Sequence, residues 1–456
     1  MKSYINLKTA ALVMICGLFF LQSCRKDDET IITSEPTVAA HEDQAKVKDK
    51  ESSAILKPWY DLLNNLIKST PSHTPPISAR DIAYTSIALY EATTGGVNGY
   101  KSLEKQIQGL NSLPDRLKHK DYIGPVAANA ALARIIPQLF ANATPANLAL
   151  ITTLEATNDA SFTGLYDNDD ILRSQQFGRD IADAIYLYSQ SDGGNQAYLS
   201  VFPPSYVPPV GPGLWVPTSA QLIPMLPYWG SNRTFVAENS LVTINPPAPP
   251  AYSTVVNSPF YNYTLQVYNT VNNLTQDQKD IANFWADDGG TYTPPGHLIA
   301  IAMQLITEKD LSMHKAAALL AKTGITLNDG GIVCWRTKYN VNLLRPVTYI
   351  KANINAGWVT FIATPPFPAY TSGHSTYSGG AATILEKEFG KHKSFTDNTK
   401  IALGFPARTY TSFEQAAQEA ALSRLYGGIH FEFDNVNGFI CGEAVAKNVL
   451  KEIHWK

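Results

Sequence analysis

The stretch Gly331-Ile332-Val333-Cys334-Trp335-Arg336-Thr337-Lys338-Tyr339-Asn340-Val341-Asn342-Leu343-Leu344-Arg345-Pro346 reads as a helix that carries charge at a regular interval. Lys338 and Arg345 are seven residues apart, which on one helix is two turns, about 10 Å along a single face shared with Trp335 and Asn342. Arg345 then meets Pro346. A residue before proline is pushed out of the helical region, so the helix is expected to stop there.

Working outward, the same helical period dominates the chain. Ile55, Trp59, Leu62, Leu63 and Leu66 recur at spacings of three and four, and Ile82, Tyr84, Ile87, Leu89 and Tyr90 continue it after Pro75-Pro76. Further helices are expected over 126–136, 145–154, 171–188, 275–287, 295–309, 312–323, 375–389, 413–426 and 436–454. Thr144 before Pro145 has the form of an N-cap with proline at the first helical position. Between 202 and 252 the pairs Pro203-Pro204, Pro208-Pro209, Pro246-Pro247 and Pro249-Pro250 mark a long irregular excursion. Strand patterns are nearly absent and there is no fixed-period repeat. The fold class is all-α: a helical bundle with one long Pro-rich loop region.

Composition agrees with a large folded body. Of 456 residues 45% are hydrophobic, 11% aromatic and only 16% charged, which excludes wholesale disorder. Lys plus Arg is 36 and Asp plus Glu 39, a net charge of −3, so the chain is not a nucleic-acid binder working through a basic face. The first residues stand apart: Lys2 and Lys8 precede an apolar run over 10–21 that ends in Leu21-Gln22-Ser23-Cys24. This is signal-peptide architecture. Ser23-Cys24 resembles the lipobox of bacterial lipoproteins, which implies cleavage after residue 23 and acylation of Cys24. The following Arg25-Lys26-Asp27-Asp28-Glu29 looks like an acidic export signal, which implies an outer-membrane lipoprotein of the cell envelope that faces outward. Residues 24–50 read as a lipid-anchored flexible tether, and 51–456 as a single helical catalytic domain whose active-site half is about 275–456. Membrane contact is expected only through Cys24. With Cys16 in the removed leader and Cys24 carrying lipid, Cys334 and Cys441 remain, either bridged or as two buried thiols. The oligomeric state stays open, a homodimer included.

Chemistry concentrates in three pieces: Lys338 with Arg345-Pro346, Ser372-Gly373-His374, and Ser423-Arg424 with His430 and Asp434. Together in this order they would arise by chance on the order of once in many thousands of such chains. Two guanidiniums, an ammonium, a serine hydroxyl and the backbone N–H of Gly373 suit a tetrahedral oxyanion. His430 can approach the central atom from one apex, His374 can handle protons at the other, and Asp434 can orient the His430 imidazole.

These pieces resemble the signature of the phosphatidic acid phosphatase type 2 and vanadium haloperoxidase superfamily, with Thr371 where the usual motif has proline. The resemblance implies that Lys338, Arg345, Ser372, Gly373, Arg424 and His430 bind vanadate or phosphate, with His430 the ligand to vanadium or the nucleophile, and His374 the acid–base. Two activities share such a cage. One is a haloperoxidase that uses hydrogen peroxide to oxidise a halide, iodide foremost and bromide next, with Lys338 polarising the peroxide. The other is an acid phosphatase working through a phosphohistidine. Phe284-Trp285-Ala286-Asp287 with Thr293-Pro294-Pro295-Gly296-His297, and Phe367-Pro368-Ala369-Tyr370, are similar to segments of bacterial vanadium haloperoxidases and favour the first. By the same resemblance Trp335 and Phe367 are halide-site candidates, and Asp287 or Asp288 would hold an active-site arginine.

Overall fold

A computed structural model describes residues 53–94, 97–240 and 245–456, so the leader, the tether and Cys24 lie outside the described residues. Helix α1 (Leu56–Ser69) turns Leu56, Trp59, Leu63 and Leu66 inward. In α2 (Pro75–Thr94) every residue after Pro75 is buried. A helix apolar on one stripe lies on a surface; one buried all round is the axis of a bundle. Around it lie α3 (Gly124–Leu139), α4 (Pro145–Phe162) and α5 (Asn168–Ser189), with Thr144 capping α4 by accepting from the Asn147 N–H. After the long excursion, which holds the four-residue α6 (Ala237–Ser240), come α7 (Pro259–Asn272), α8 (Gln276–Phe284), α9 (Thr293–Glu308) and α10 (Met313–Val341). The chain closes with α11 (Pro346–Asn353), α12 (Gly373–Phe389), an antiparallel hairpin of β1 (Phe395–Asp397) and β2 (Arg408–Tyr410), α13 (Phe413–Tyr426) and α14 (Glu432–Glu452). No helix among the described residues is long and apolar enough to cross a membrane.

Several boundaries differ from the sequence reading, each for a packing reason. The segments expected at 312–323 and 331–344 are one 29-residue helix, α10. Its middle is rich in poor helix formers, yet it is buried against α2, and there a Cβ on Gly324 would come within 3.0 Å of the Ala83 Cα. Glycine is retained because the two backbones nearly touch, and tertiary burial outweighs its low propensity. Arg345 is not on this helix. The helix ends at Val341, Asn342 takes a left-handed φ of 51°, and Arg345 becomes the N-cap residue of α11, with Pro346 starting that helix instead of merely stopping the previous one. Helix α7 falls where no helix was expected. Its Tyr, Asn and Thr content hides the period, although Ser258 before Pro259 caps it and Phe260, Thr264 and Val267 mark its buried stripe.

What positions the site is the crossing of α12 and α14. A Cβ on Gly442 would meet the Thr376 carbonyl oxygen at 2.1 Å, one on Gly379 the Phe439 carbonyl at 2.7 Å, and one on Gly438 the Ser372 carbonyl at 2.6 Å. With glycine at these three positions the helices approach closely, so the start of α12, with Ser372-Gly373-His374, lies against the start of α14, with Asp434. The Ser372 N–H donates directly to the Asp434 carbonyl at 3.0 Å. Gly442→Ala is therefore expected to cost about 1–3 kcal/mol from overpacking. Gly124→Ala, where an added Cβ meets nothing within 4 Å, should cost far less. Urea unfolding of both variants checks the contrast.

Candidate active site

The three pieces converge on one cleft. Its cavity is about 500 Å³, and its lining includes Trp335, Phe367, Gly373, His374, Arg424 and His430. Lys338 and Arg345 are fully buried behind it and Arg424 is almost so.

Each cation is held by carbonyls rather than by a carboxylate. Lys338 Nζ donates to the carbonyls of Pro368 (3.0 Å), Ala369 (2.9 Å) and Thr371 (2.5 Å). Arg345 donates from Nε to the Phe367 carbonyl at 2.8 Å and from Nη1 to the Ile429 carbonyl at 2.8 Å, with His430 Nε2 at 3.2 Å. Arg424 Nη1 donates to the Trp285 carbonyl at 2.8 Å. The Pro-rich excursion fixes the approach to Arg345: the Trp215 N–H donates to the Asn342 carbonyl and the Leu344 N–H to that of Gly213.

The polar atoms left over define the site. Arg345 Nη2, Arg424 Nε and His374 Nε2 are buried and have no protein partner. Buried polar groups are almost always paired, so unpaired ones that share a cleft point to a guest. Ser372 Oγ accepts from the Ser375 hydroxyl at 2.9 Å, which leaves its own hydrogen free, and Gly373 opens α12, where a first-turn N–H has no intrahelical acceptor.

His430 has a settled tautomer. Asp434 Oδ2 accepts from its Nδ1 at 2.8 Å and also from the Phe431 N–H at 3.1 Å, so Nε2 keeps its lone pair. Asp434 reaches His430 as the third residue of α14, with His430 just before that helix and not on a shared helical face. His374 is anchored from the other side, its ring hydrogen-bonding the backbone of Trp285 and Ala286.

Burial drives Arg345 down to about 9 and Arg424 down to about 10, and both remain charged at neutral pH. Lys338 is lowered by burial, with Arg345 adding to the effect, and burial raises Asp434 against the pull of Lys338. His430 and His374 both lie well below the ordinary imidazole value. For each, burial is the first cause; next come Arg345, Lys338 and Arg424 for His430, and Arg424 for His374.

Two expectations need correction, those for Lys338 and for Asp287, while the open question of the cysteines is decided. Lys338 is spent on three carbonyls, so it could touch an oxyanion or a peroxide only by releasing one of them. Asp287 holds no arginine: it is bound by His297 at 3.0 Å and Lys400 at 2.7 Å, while Asp288 accepts from the Gly289 N–H. Cys334 and Cys441 are free buried thiols, and Cys334 packs on Thr371 instead of on a second sulfur. Trp335 and Phe367 do stand together on the wall, ring centroids 5.1 Å apart, with Lys338 Nζ 5.1 Å and the Arg345 guanidinium 4.9 Å from the Phe367 ring. A residue missed from sequence is Tyr377, one turn after His374. Its buried hydroxyl lines the same cavity without a partner, and Gly331 makes room for it.

Comparison with known proteins agrees with this geometry. Residues 318–455 match the VCPO second helical-bundle domain. Vanadium chloroperoxidase of Curvularia inaequalis is 26% identical over 132 residues, 23% of this chain and 22% of that protein. Vanadium-dependent bromoperoxidase of Ascophyllum nodosum is 27% identical over 133 residues, 25% of this chain and 24% of that protein. The chain thus matches about a quarter or less of these curated relatives. Among solved structures, a bacterial vanadium-dependent chloroperoxidase in its holo form shares the fold, with a TM-score of 0.66 at 13% identity over 83% of this chain and 92% of that one. A bacterial vanadium-dependent iodoperoxidase superposes with a TM-score of 0.81 at 31% identity, over 88% of this chain and 97% of its own length. At 31% identity over nearly the whole of that enzyme, and with the second helical-bundle domain matched, this chain belongs to the vanadium-dependent haloperoxidases.

Proposed function

We propose that the protein uses vanadate to oxidise iodide, and bromide less readily, with hydrogen peroxide to hypohalous acid. The observation that carries this reading is the set of buried, unpartnered nitrogens Arg345 Nη2, Arg424 Nε and His374 Nε2 beside His430, whose Nε2 meets only Arg345 Nη1 at 3.2 Å. Iodide is favoured because it is the halide most easily oxidised and because the 31%-identical structure is an iodoperoxidase. When bound, vanadate supplies a Lewis acid that activates peroxide without changing oxidation state.

The chain's own residues do the rest. Arg345, Arg424, the Ser372 hydroxyl and the Gly373 N–H would hold the oxyanion, and His430 Nε2 would be its imidazole ligand while Asp434 keeps the proton on Nδ1. His374 Nε2 accepts the peroxide proton and returns it as water forms. Lys338 adds positive charge and fixes the carbonyls of 368–371, which keeps Phe367 against Trp335 as an apolar wall for a soft halide. The balance is halide, peroxide and one proton giving hypohalous acid and water.

Protein stripped with phosphate and chelator should be inactive, and reconstitution with vanadate should restore peroxide-dependent triiodide formation. Hydrolysis of a generic phosphomonoester that vanadate inhibits, without halide oxidation, would instead establish the phosphatase of the same superfamily. His430→Ala should abolish activity. His374→Ala should lower turnover about 100-fold or more while vanadate still raises the melting temperature.

Because both histidines lie well below the ordinary imidazole value, their neutral forms persist on acidification. The acid-side loss of rate should therefore begin only below pH 6.5. A rate profile already falling between pH 8 and 6.5 would contradict the neutral, base-competent state of His374.

The leader supports placing this activity in the cell envelope, anchored through Cys24. Labelled fatty acid should enter the wild-type chain and not the Cys24→Ala variant in a bacterial host that processes lipoproteins.

A further inference from the structure

Next to the turn that follows α8, four ionisable side chains are buried together: Asp287, His297, Asp397 and Lys400, none more than 5% exposed. His297 contacts Asp287 Oδ2 through Nδ1 at 3.0 Å and Asp397 Oδ2 through Nε2 at 2.8 Å. Carboxylates flank both nitrogens, so both carry hydrogen and the ring is an imidazolium. Against the burial that would lower it, Asp287 and Asp397 hold His297 up at about 9. Lys400 Nζ takes the other oxygen of Asp287 at 2.7 Å and also binds the Phe284 carbonyl. Two positive and two negative groups cancel, so the cluster is neutral and has no need of a ligand.

Its effect is on the backbone. Asp287 is a non-glycine residue at φ 45°, a conformation that persists only where the surroundings impose it. The residues just before it face the cage: the Trp285 carbonyl accepts from Arg424, and the His374 ring bonds the backbone of Trp285 and Ala286. The hairpin grips the same turn from both strands. β1 supplies Asp397, while Arg408 and Tyr410 of β2 hold Glu419, which accepts from the Trp285 indole N–H at 2.9 Å. The indole in turn lies over His297 at 4.7 Å between ring centroids.

We propose that His297, Asp397 and Lys400 are positioning residues for the acid–base histidine. By fixing Asp287 in its turn, they aim the carbonyls of Trp285 and Ala286 so that His374 keeps its Nδ1 proton on the protein and turns Nε2 to the cavity. The kinetic consequence rests on the haloperoxidase reading; the tautomer does not.

Asp397→Asn keeps the shape and removes one charge, and His297→Gln removes the bridge. In 15N-histidine spectra of the phosphate-loaded protein at neutral pH, with the signal assigned through His374→Ala, wild-type His374 should be the Nδ1–H tautomer and should become mixed in both variants. Turnover should fall about 10–100-fold, with the iodide KM within about threefold of wild type. An unchanged tautomer in either folded variant would overturn the proposal, as would loss of folding in both, which would make the cluster a pillar of the fold. If wild-type protein oxidises no halide, the function fails while the tautomer shift still decides the positioning role.

Discussion

Three cationic side chains, Lys338, Arg345 and Arg424, are shut away from water with one carboxylate, Asp434, set among them. Charges taken out of water cost several kcal/mol each unless they are paired or solvated by the protein. Here the solvation comes from backbone carbonyls, which are drawn from irregular segments because helical carbonyls are already committed. Phe367, Pro368, Ala369, Thr371, Ile429 and Trp285 all give carbonyl oxygens to a cation. Carbonyls lower the cost without cancelling the charge, so the site retains a positive excess that only an anion removes.

That excess has to be held at one place by elements far apart in sequence. The glycines of α12 and α14 do this by letting two helix starts meet. Had Gly438 or Gly442 carried a side chain, Ser372 and Asp434 would separate and His430 would lose the fixed distance to the N-terminus of α12. The Pro-rich excursion serves the same end, binding the short segment between α10 and α11 that carries Arg345.

The cage was legible in the sequence because its residues are of rare types at fixed intervals, and spacing survives even when the local structure is misread. Arg345 shows this: it reaches the cage although the helix expected to carry it ends at Val341. The hairpin and Tyr377 were not legible. Each β strand is three residues long, too short for an alternation to register, and a tyrosine on an apolar helix face looks like core. The uncommitted state of its hydroxyl emerges only when α10 and α12 are packed. The family resemblance made Asp287 or Asp288 the partner of an arginine; Lys400 and His297, 113 and 10 residues from Asp287, reach it first.

Burial first, and the same positive excess after it, set the state of the two histidines. An imidazole among buried cations resists taking a proton, so His430 and His374 stay neutral at the pH where a free histidine would begin to charge. A neutral His430 has a lone pair to give to a central atom, and a neutral His374 can receive a proton. On the proposed mechanism, arrival of an anion would offset the local field and make it easier for His374 to hold that proton. The charge that attracts the guest and the basicity that acts on it are thus one electrostatic arrangement, which explains why the cations are built into the core and do not line an open surface.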